Sequence, residues 1–398
     1  MRIGIYYHAD MDRNTGGGAV FQETLIEEIC RLAKRHDVFL FSPTVPADPP
    51  ANIRFIQLRD KQRPGRLVKA LKGLKQVITN TVLSDEDFPE PGRLDRAARK
   101  HQIDLLWFIA LETEKVVTIP YIATVWDLAH RIHPYFPEVS ATGWTWGARE
   151  RHFQNLLPRA ARIITGTAVG KKEIVKYYQV PENLVEVVPF PTPQFALSPP
   201  VAEEQQAGES QIPENYLFYP AQFWPHKNHV GLLLALKILR DKFGLNFNLV
   251  FTGSDKGNLE YVQKMVKELG LEDKVTFLGF VETDFLRELY RRAFALVFPT
   301  FLGPDNLPPL EAFALGCPVI ASNVEGAEEQ LGSAALLFDP KNPEEIALRI
   351  RDLHNSPAIR DELIRLGHER ALSWTAKDYV ERMLQIIDDF EPIRRCWE

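Results

Sequence analysis

Cysteine is scarce: three residues in 398, Cys30, Cys317 and Cys396, far apart and in no C-x-x-C or Cys/His spacing. That excludes a disulfide framework and a zinc site of the usual spacing, and points to a reducing, cytoplasmic setting. Long apolar runs are missing too, since none approaches the roughly 18 residues that a membrane span needs. The opening Met1-Arg2-Ile3-Gly4-Ile5 reads at once as a strand and not as a targeting segment. Positive charge is not in surplus. Lys plus Arg number 47 against 53 Asp plus Glu, a net charge of -6, so no global field gathers a polyanion and nucleic acid is not expected as a partner. No G-x-G-x-x-G string follows the first strand, which argues against a dehydrogenase.

What is present is ordinary globular composition, 45% hydrophobic and 25% charged, over a length that suggests two to three domains. The first half alternates β-rich runs with helical periodicity, the pattern of a parallel sheet with crossover helices. Strands are expected at Ile3–Tyr7, Val38–Phe41, Ile53–Leu58, Ile103–Ile109, Ile119–Val125, Arg162–Thr165 and Leu184–Val188. Helices are expected at Val20–Lys34, Leu67–Val82, Trp144–Leu157 and Gly170–Tyr178. A stretch holding Pro191, Pro193, Pro199, Pro200 and Pro213 then breaks the pattern and reads as a linker. Alternation restarts, with strands at Tyr216–Tyr219, Phe247–Phe251, Val275–Leu278, Ala295–Phe298 and Val319–Ala321. Helices fall at Val230–Phe243, Leu259–Leu269, Asp284–Arg292 and Pro308–Leu315, and Trp374–Phe390 is amphipathic. Two α/β domains of similar size would face each other, and ligands of open α/β sheets bind beyond the carboxyl ends of the strands.

Four segments could carry chemistry at such ends. Gly16-Gly17-Gly18 stands at a helix entrance, where backbone N–H groups and the helix dipole favour phosphate, or where the chain simply turns. Trp126-Asp127-Leu128-Ala129-His130 closes a strand; His130 could meet a sugar hydroxyl, or be a satisfied loop histidine. Pro225-His226-Lys227-Asn228 opens the first helix of the second half, placing Lys227 as a point charge suited to a diphosphate. Pro304-Asp305-Asn306-Leu307-Pro308-Pro309-Leu310-Glu311 starts another helix, with prolines suited to its first turn. Glu311 could accept two ribose hydroxyl hydrogens, or only complement the helix dipole.

The order of these pieces, ending in Leu307-Pro308-Pro309-Leu310-Glu311-Ala312-Phe313-Ala314-Leu315-Gly316-Cys317-Pro318, resembles family 4 of the retaining glycosyltransferases. The resemblance covers almost the whole chain and implies the GT-B fold, two Rossmann-like doubly wound domains facing across a cleft. It implies an acceptor-side domain at 1–190, a linker at 191–214, a nucleotide-sugar domain at 215–373, and a final helix at 374–398 crossing back to the first domain. It also implies roles. Gly17 and Gly18 would lie beside the donor diphosphate, His130 beside the transferred sugar and Lys227 on the diphosphate, with Asp127 in the catalytic set. Asn306 and Leu307 would offer N–H groups to the sugar phosphate, Glu311 would take the ribose, and Phe280 and Val281 would lie by the base. Two departures stand out. The family's first glutamate falls on Gly303, with Asp305 a local substitute, and its arginine falls on Gln222, leaving Lys227, with His226, to face the diphosphate.

Breaking the bond to a nucleoside diphosphate puts negative charge on the leaving phosphate, which donors such as Lys227 can stabilise without a metal. The expectation is a sugar transfer from a UDP- or GDP-linked donor to a glycan or lipid-linked acceptor, with no cofactor and no metal. The strings Asp10-Met11-Asp12 and Asp85-Glu86-Asp87 are of the kind that arises by chance. The basic segment 61–75 could touch anionic lipid at the cytoplasmic face, or be a solvated helix face. Two alternatives stand beside transfer: a GT-B nucleotide-sugar epimerase, and a non-catalytic nucleotide-binding scaffold.

Overall fold

The computed structural model describes residues 1–9, 16–32, 34–46, 53–58, 92–109, 117–140, 144–198, 212–303 and 305–397. The expected helix Leu67–Val82, the basic segment 61–75 and both Asp-x-Asp strings lie outside them.

The first half forms a seven-stranded parallel sheet from β1 Arg2–Tyr6, β2 Asp37–Ser42, β3 Arg54–Gln57, β4 Leu105–Phe108, β5 Tyr121–Val125, β6 Arg162–Thr165 and β7 Val185–Val187. Their order is β3-β2-β1-β4-β5-β6-β7. The second half repeats the plan with β8 Tyr216–Pro220, β9 Asn248–Thr252, β10 Val275–Phe277, β11 Ala295–Phe298, β12 Val319–Ser322 and β13 Ala335–Phe338. These six strands run β10-β9-β8-β11-β12-β13, again all parallel. Central strands such as β4, Leu-Leu-Trp-Phe, and β11, Ala-Leu-Val-Phe, are buried at every position because helices cover both faces.

Helices of eight or more residues are α1 Gly17–Leu32, α2 Arg93–Lys100, α3 Trp146–Leu156, α4 Ala168–Tyr178, α5 His229–Phe243 and α6 Leu259–Glu268. They continue with α7 Thr283–Arg292, α8 Leu307–Ala314, α9 Pro343–Asn355, α10 Pro357–Ser373 and α11 Ala376–Arg394. The second sheet and its helices share one apolar core, while the first sheet has one on each face. One of those two is completed by α11: Tyr379, Val380, Met383, Ile386, Ile387 and Phe390 pack with Ile3, Phe21, Leu25 and Ile29. Ion pairs Arg382–Glu186 at 3.0 Å and Arg394–Asp104 at 3.1 Å flank that contact.

Four elements of the second half, β13, α9, α10 and the short helix Ala327–Leu331, were not expected from the sequence, and neither was α2 in the first. The expected linker also holds a helical turn at Gln194–Leu197, whose Ala196 joins the core of the second half. No helix among the described residues is long and apolar enough to cross a membrane.

In each sheet the strand order reverses at one place, between β1 and β4 and between β8 and β11. The crevice outside the carboxyl ends at such a point is where doubly wound folds hold ligands. The loops after β1, β5, β8 and β11 carry the four segments singled out above, so topology brings together pieces that are up to about 290 residues apart.

Candidate active site

A cavity of about 510 Å³ opens where the two sheets face each other, within the size range of small-ligand sites. Gly17, Gly18, Trp126 and Asp127 line it from one side; Lys227, Phe280, Val281, Leu307 and Glu311 line it from the other. The walls are close, since a Cβ on Gly17 would come within 3.3 Å of the Leu307 side chain.

Lys227 is positioned by its neighbour. Asn228 adopts a left-handed conformation, φ 55°, and caps α5 by accepting from the Gly231 N–H at 3.1 Å. Its amide nitrogen also donates to the Pro299 and Pro340 carbonyls at 3.0 and 2.9 Å, tying the loop to the end of β11. The Lys227 carbonyl accepts from the Tyr219 hydroxyl at 2.8 Å. With its backbone held, the ammonium sits 5.2 Å from the centre of the Phe298 ring and faces the cavity. Burial pushes its pKa down to about 8, opposed by the carboxylates of Asp127 and Glu138. Among the described residues none makes an ion pair with it. A cation held in this way is set up to receive an anion from solution.

His226 is not a second positive charge there. Its backbone N–H and Nδ1 both meet Glu138 Oε1, the former at 3.0 Å, across the cleft. Burial lowers the imidazole to about 4. Burial alone would raise the Glu138 carboxyl, but the hydrogen bonds from His226 and from backbone outweigh it and hold it low. The pair is a neutral histidine donating to a carboxylate, and it clasps the halves together beside the stacked rings of Phe136 and Phe301, 6.1 Å apart.

His130 also departs from expectation. Its side chain has no exposure and points into the first domain, not the cavity. Nε2 lies 3.3 Å from Glu150 Oε2 and 3.2 Å from the Tyr178 hydroxyl, and the ring stacks on Phe153 at 5.6 Å. Burial lowers its pKa, with Glu150 opposing. Cavity-facing positions of that segment belong instead to Asp127 and to Trp126, which opens the segment directly beyond the strand end and was given no role there. Asp127 Oδ1 accepts from the Ala129 N–H at 2.9 Å, which fixes the turn.

The α8 entrance offers fewer donors than its sequence suggested. Pro308 and Pro309 have no N–H, and the Asn306 N–H is taken by Gln330 Oε1 at 3.1 Å. Leu307 therefore supplies the N–H of this turn. Asp305 is not free to read a sugar either: Oδ2 accepts from the Phe190 N–H at 3.0 Å and Oδ1 from the Gln330 amide. Burial raises its pKa to about 7, opposed by the Phe190 N–H. Gly303 has φ +117°, a conformation that side chains rarely adopt, so a glutamate there would strain the loop.

Glu311 does face the cavity, buried, one oxygen accepting from the Tyr290 hydroxyl at 2.6 Å. Burial raises its carboxyl to about 7, and the Tyr290 hydrogen bond opposes this. Phe280, 42% exposed, and Val281 form the rim near Thr283 and Leu286. Gln222 occupies the place of the expected arginine, its amide held by the Trp224 indole at 2.9 Å and Ser254 at 3.2 Å. A His36, Asp388 and Glu391 trio close enough to share a cation lies at the packing of α11. It is outside the cavity and engaged with Arg35 and the terminal amine.

Comparison with known proteins gives this geometry a family. The model described as Glycosyltransferase Family 4 matches residues 15–191, and that described as Glycosyl transferases group 1 matches residues 201–370. The O-antigen chain mannosyltransferase RfbU of Salmonella typhimurium is 28% identical over 245 residues, 60% of this chain and 64% of that protein. O-antigen chain mannosyltransferase B of Escherichia coli is 27% identical over 207 residues, 50% of this chain and 53% of that one. The chain thus spans between half and two thirds of the length of these relatives. Anabaena HepE, solved in complex with UDP-glucose, superposes with a TM-score of 0.68 at 15% identity over 98% of this chain and all of that one. With both halves matched by family models and two doubly wound sheets facing across one cavity, the chain belongs to family 4 of the glycosyltransferases and has the GT-B fold.

Proposed function

We propose that this protein transfers a sugar, with retention of anomeric configuration, from a UDP- or GDP-linked donor to a glycan or lipid-linked acceptor. One observation carries the reading: the Lys227 ammonium, without an ion-pair partner among the described residues, projects into the cavity that Asp127 and Leu307 also line. Departure of a nucleoside diphosphate places charge where that ammonium waits, and preorganised donors at such a point supply much of a transferase's rate. Glu311 takes the ribose hydroxyls and the Phe280–Val281 rim takes the base. Asp127 faces the sugar, where a carboxylate stabilises oxocarbenium character. His130 acts on this loop from behind, as a packing and hydrogen-bonding anchor, and not as a contact to the sugar.

The two relatives carry the name mannosyltransferase, and mannose is the sugar we assign. HepE was solved with UDP-glucose, which supports a nucleotide-linked donor in a cavity of this kind. We assign no cofactor and no metal to the reaction, because Lys227 supplies the cation. A cytoplasmic setting, with membrane contact through segment 61–75, completes the proposal. The test is an acceptor screen with GDP-mannose and UDP-glucose in chelator, reading the anomeric proton of the product. A product with the donor's anomeric configuration supports it; an inverted product, or a free epimer formed without acceptor, contradicts it.

A further inference from the structure

Gln330 stands on the short helix Ala327–Leu331, away from every segment that the sequence singled out. Its side chain nevertheless holds the loop that leads into α8. Oε1 accepts from the Asn306 N–H at 3.1 Å, while Nε2 donates to the Asn306 carbonyl at 2.8 Å and to Asp305 Oδ1. A primary amide is the group that can accept and donate at once in this way; a carboxylate cannot donate and an ammonium cannot accept.

The same loop is bound to the first domain. Asp305 Oδ2 accepts from the Phe190 N–H, and it approaches so closely that a Cβ on Gly166 would collide with it. Only glycine leaves room at position 166 for that carboxylate. Beside Gln330, the Glu329 carboxylate accepts from the Ala168 N–H at 2.8 and 3.0 Å, at the start of α4. Arg370 in turn fixes the carbonyls of Glu329 and Gln330 from α10. Residues 329 and 330 therefore touch the first domain on one side and the residue before Leu307 on the other.

We propose that Gln330 is a positioning residue that couples closure of the first domain to the placement of the Leu307 N–H against the donor phosphate. The coupling runs from Phe190 and Ala168 through Asp305 and Glu329 to Gln330, and from there to Asn306. Deletion of the amide leaves the nucleotide's anchors at Lys227 and Glu311 in place but lets the loop drift, so turnover falls before affinity does. This rests on reading the cavity as a donor site.

The test is an exchange of polarity. Gln330→Glu sets a carboxylate against Asp305, and Asp305→Asn sets an amide N–H against Gln330. In the double variant the amide oxygen introduced at position 305 still accepts from the Phe190 N–H, while the amide nitrogen donates to the new carboxylate at position 330. Hydrolysis of GDP-mannose and UDP-glucose gives kcat, and calorimetry gives the nucleotide Kd. Each single variant is expected to lose about tenfold in kcat with Kd within about threefold. The double variant regains the 305–330 hydrogen bond but leaves the Asn306 carbonyl facing a carboxylate, so it is expected to recover about threefold over the worse single variant without reaching wild type. A double variant no better than the worse single, or single variants with unchanged kcat, overturns the proposal. The same cycle on the unfolding midpoint reads the 305–330 contact with no donor present. If wild type binds no nucleotide, the donor reading falls; if the midpoint shifts simply add, the coupling falls.

Discussion

Replacing Lys227 by Met removes the ammonium that sits over the Phe298 ring and keeps an unbranched apolar side chain of similar length. Two estimates of the cost agree. Loss of one preorganised donor at a developing charge costs about 10²–10³ in kcat, or about 3–4 kcal/mol. A pair of unit charges about 4 Å apart at an effective dielectric near 20 is worth about 4 kcal/mol. The assay is donor hydrolysis and transfer over a range of donor concentrations, across pH, so that kcat and kcat/KM are both read. Because burial lowers the pKa to about 8, roughly nine molecules in ten carry the charge at pH 7 and about one in ten at pH 9. Wild-type kcat/KM should therefore fall about tenfold between those values, and the variant should lack this limb. Stability runs the other way. A lysine held below its ordinary 10.5 disfavours the apo fold wherever it is charged, so wild type gains stability as pH rises from about 8 towards 10.5. The variant should melt higher without ligand at pH 7 and show a smaller nucleotide-induced rise in Tm. Turnover within about threefold of wild type would refute the reasoning.

Glu311→Gln is expected to weaken nucleotide binding about tenfold or more by calorimetry, the scale of a hydrogen bond to a charged group. Since burial raises the native carboxyl to about 7, wild-type affinity should fall relative to that of the variant as pH drops from 8 to 5.5, the Lys227 contribution being common to both; parallel curves would contradict the ribose role. Glu138→Gln replaces the carboxylate of the His226 clasp. A raised KM and a larger radius of gyration in small-angle scattering are expected, and an unchanged radius would remove the clasp from the account. His130→Ala should destabilise the fold by about 2–4 kcal/mol in urea unfolding and leave nucleotide affinity intact. Full stability with abolished transfer would return His130 to the catalytic set.

Position along the chain was more legible than direction of the side chain. Ala295–Phe298 is a strand with the bounds that its apolar run suggests, and α8 begins one residue before Pro308, because proline fits a first turn. Loop addresses followed from strand ends, since a parallel sheet puts all of them on one edge. What the loops do with their polar atoms depends on distant partners. His130 turns inward because Glu150 and Tyr178 wait there, 20 and 48 residues on, and nothing within Asp-x-x-His encodes that. Asp305 read as a spare sugar ligand, yet Phe190, 115 residues earlier, claims it. Asn306 kept no N–H for a phosphate because Gln330 occupies it, and Gln330 lies in a stretch without any motif. Lys227 was legible because a lysine at a helix entrance beyond a strand end has few other places to point.

The most direct measurement is calorimetric titration of UDP, GDP, ADP and their sugar conjugates into wild-type protein and Lys227→Met, in chelator. We expect a uridine or guanosine diphosphate to bind wild type without metal, and its affinity to fall when the ammonium is removed. Binding of none of them, or equal affinity in both proteins, would contradict the claim that this cavity holds a nucleotide-sugar diphosphate on Lys227.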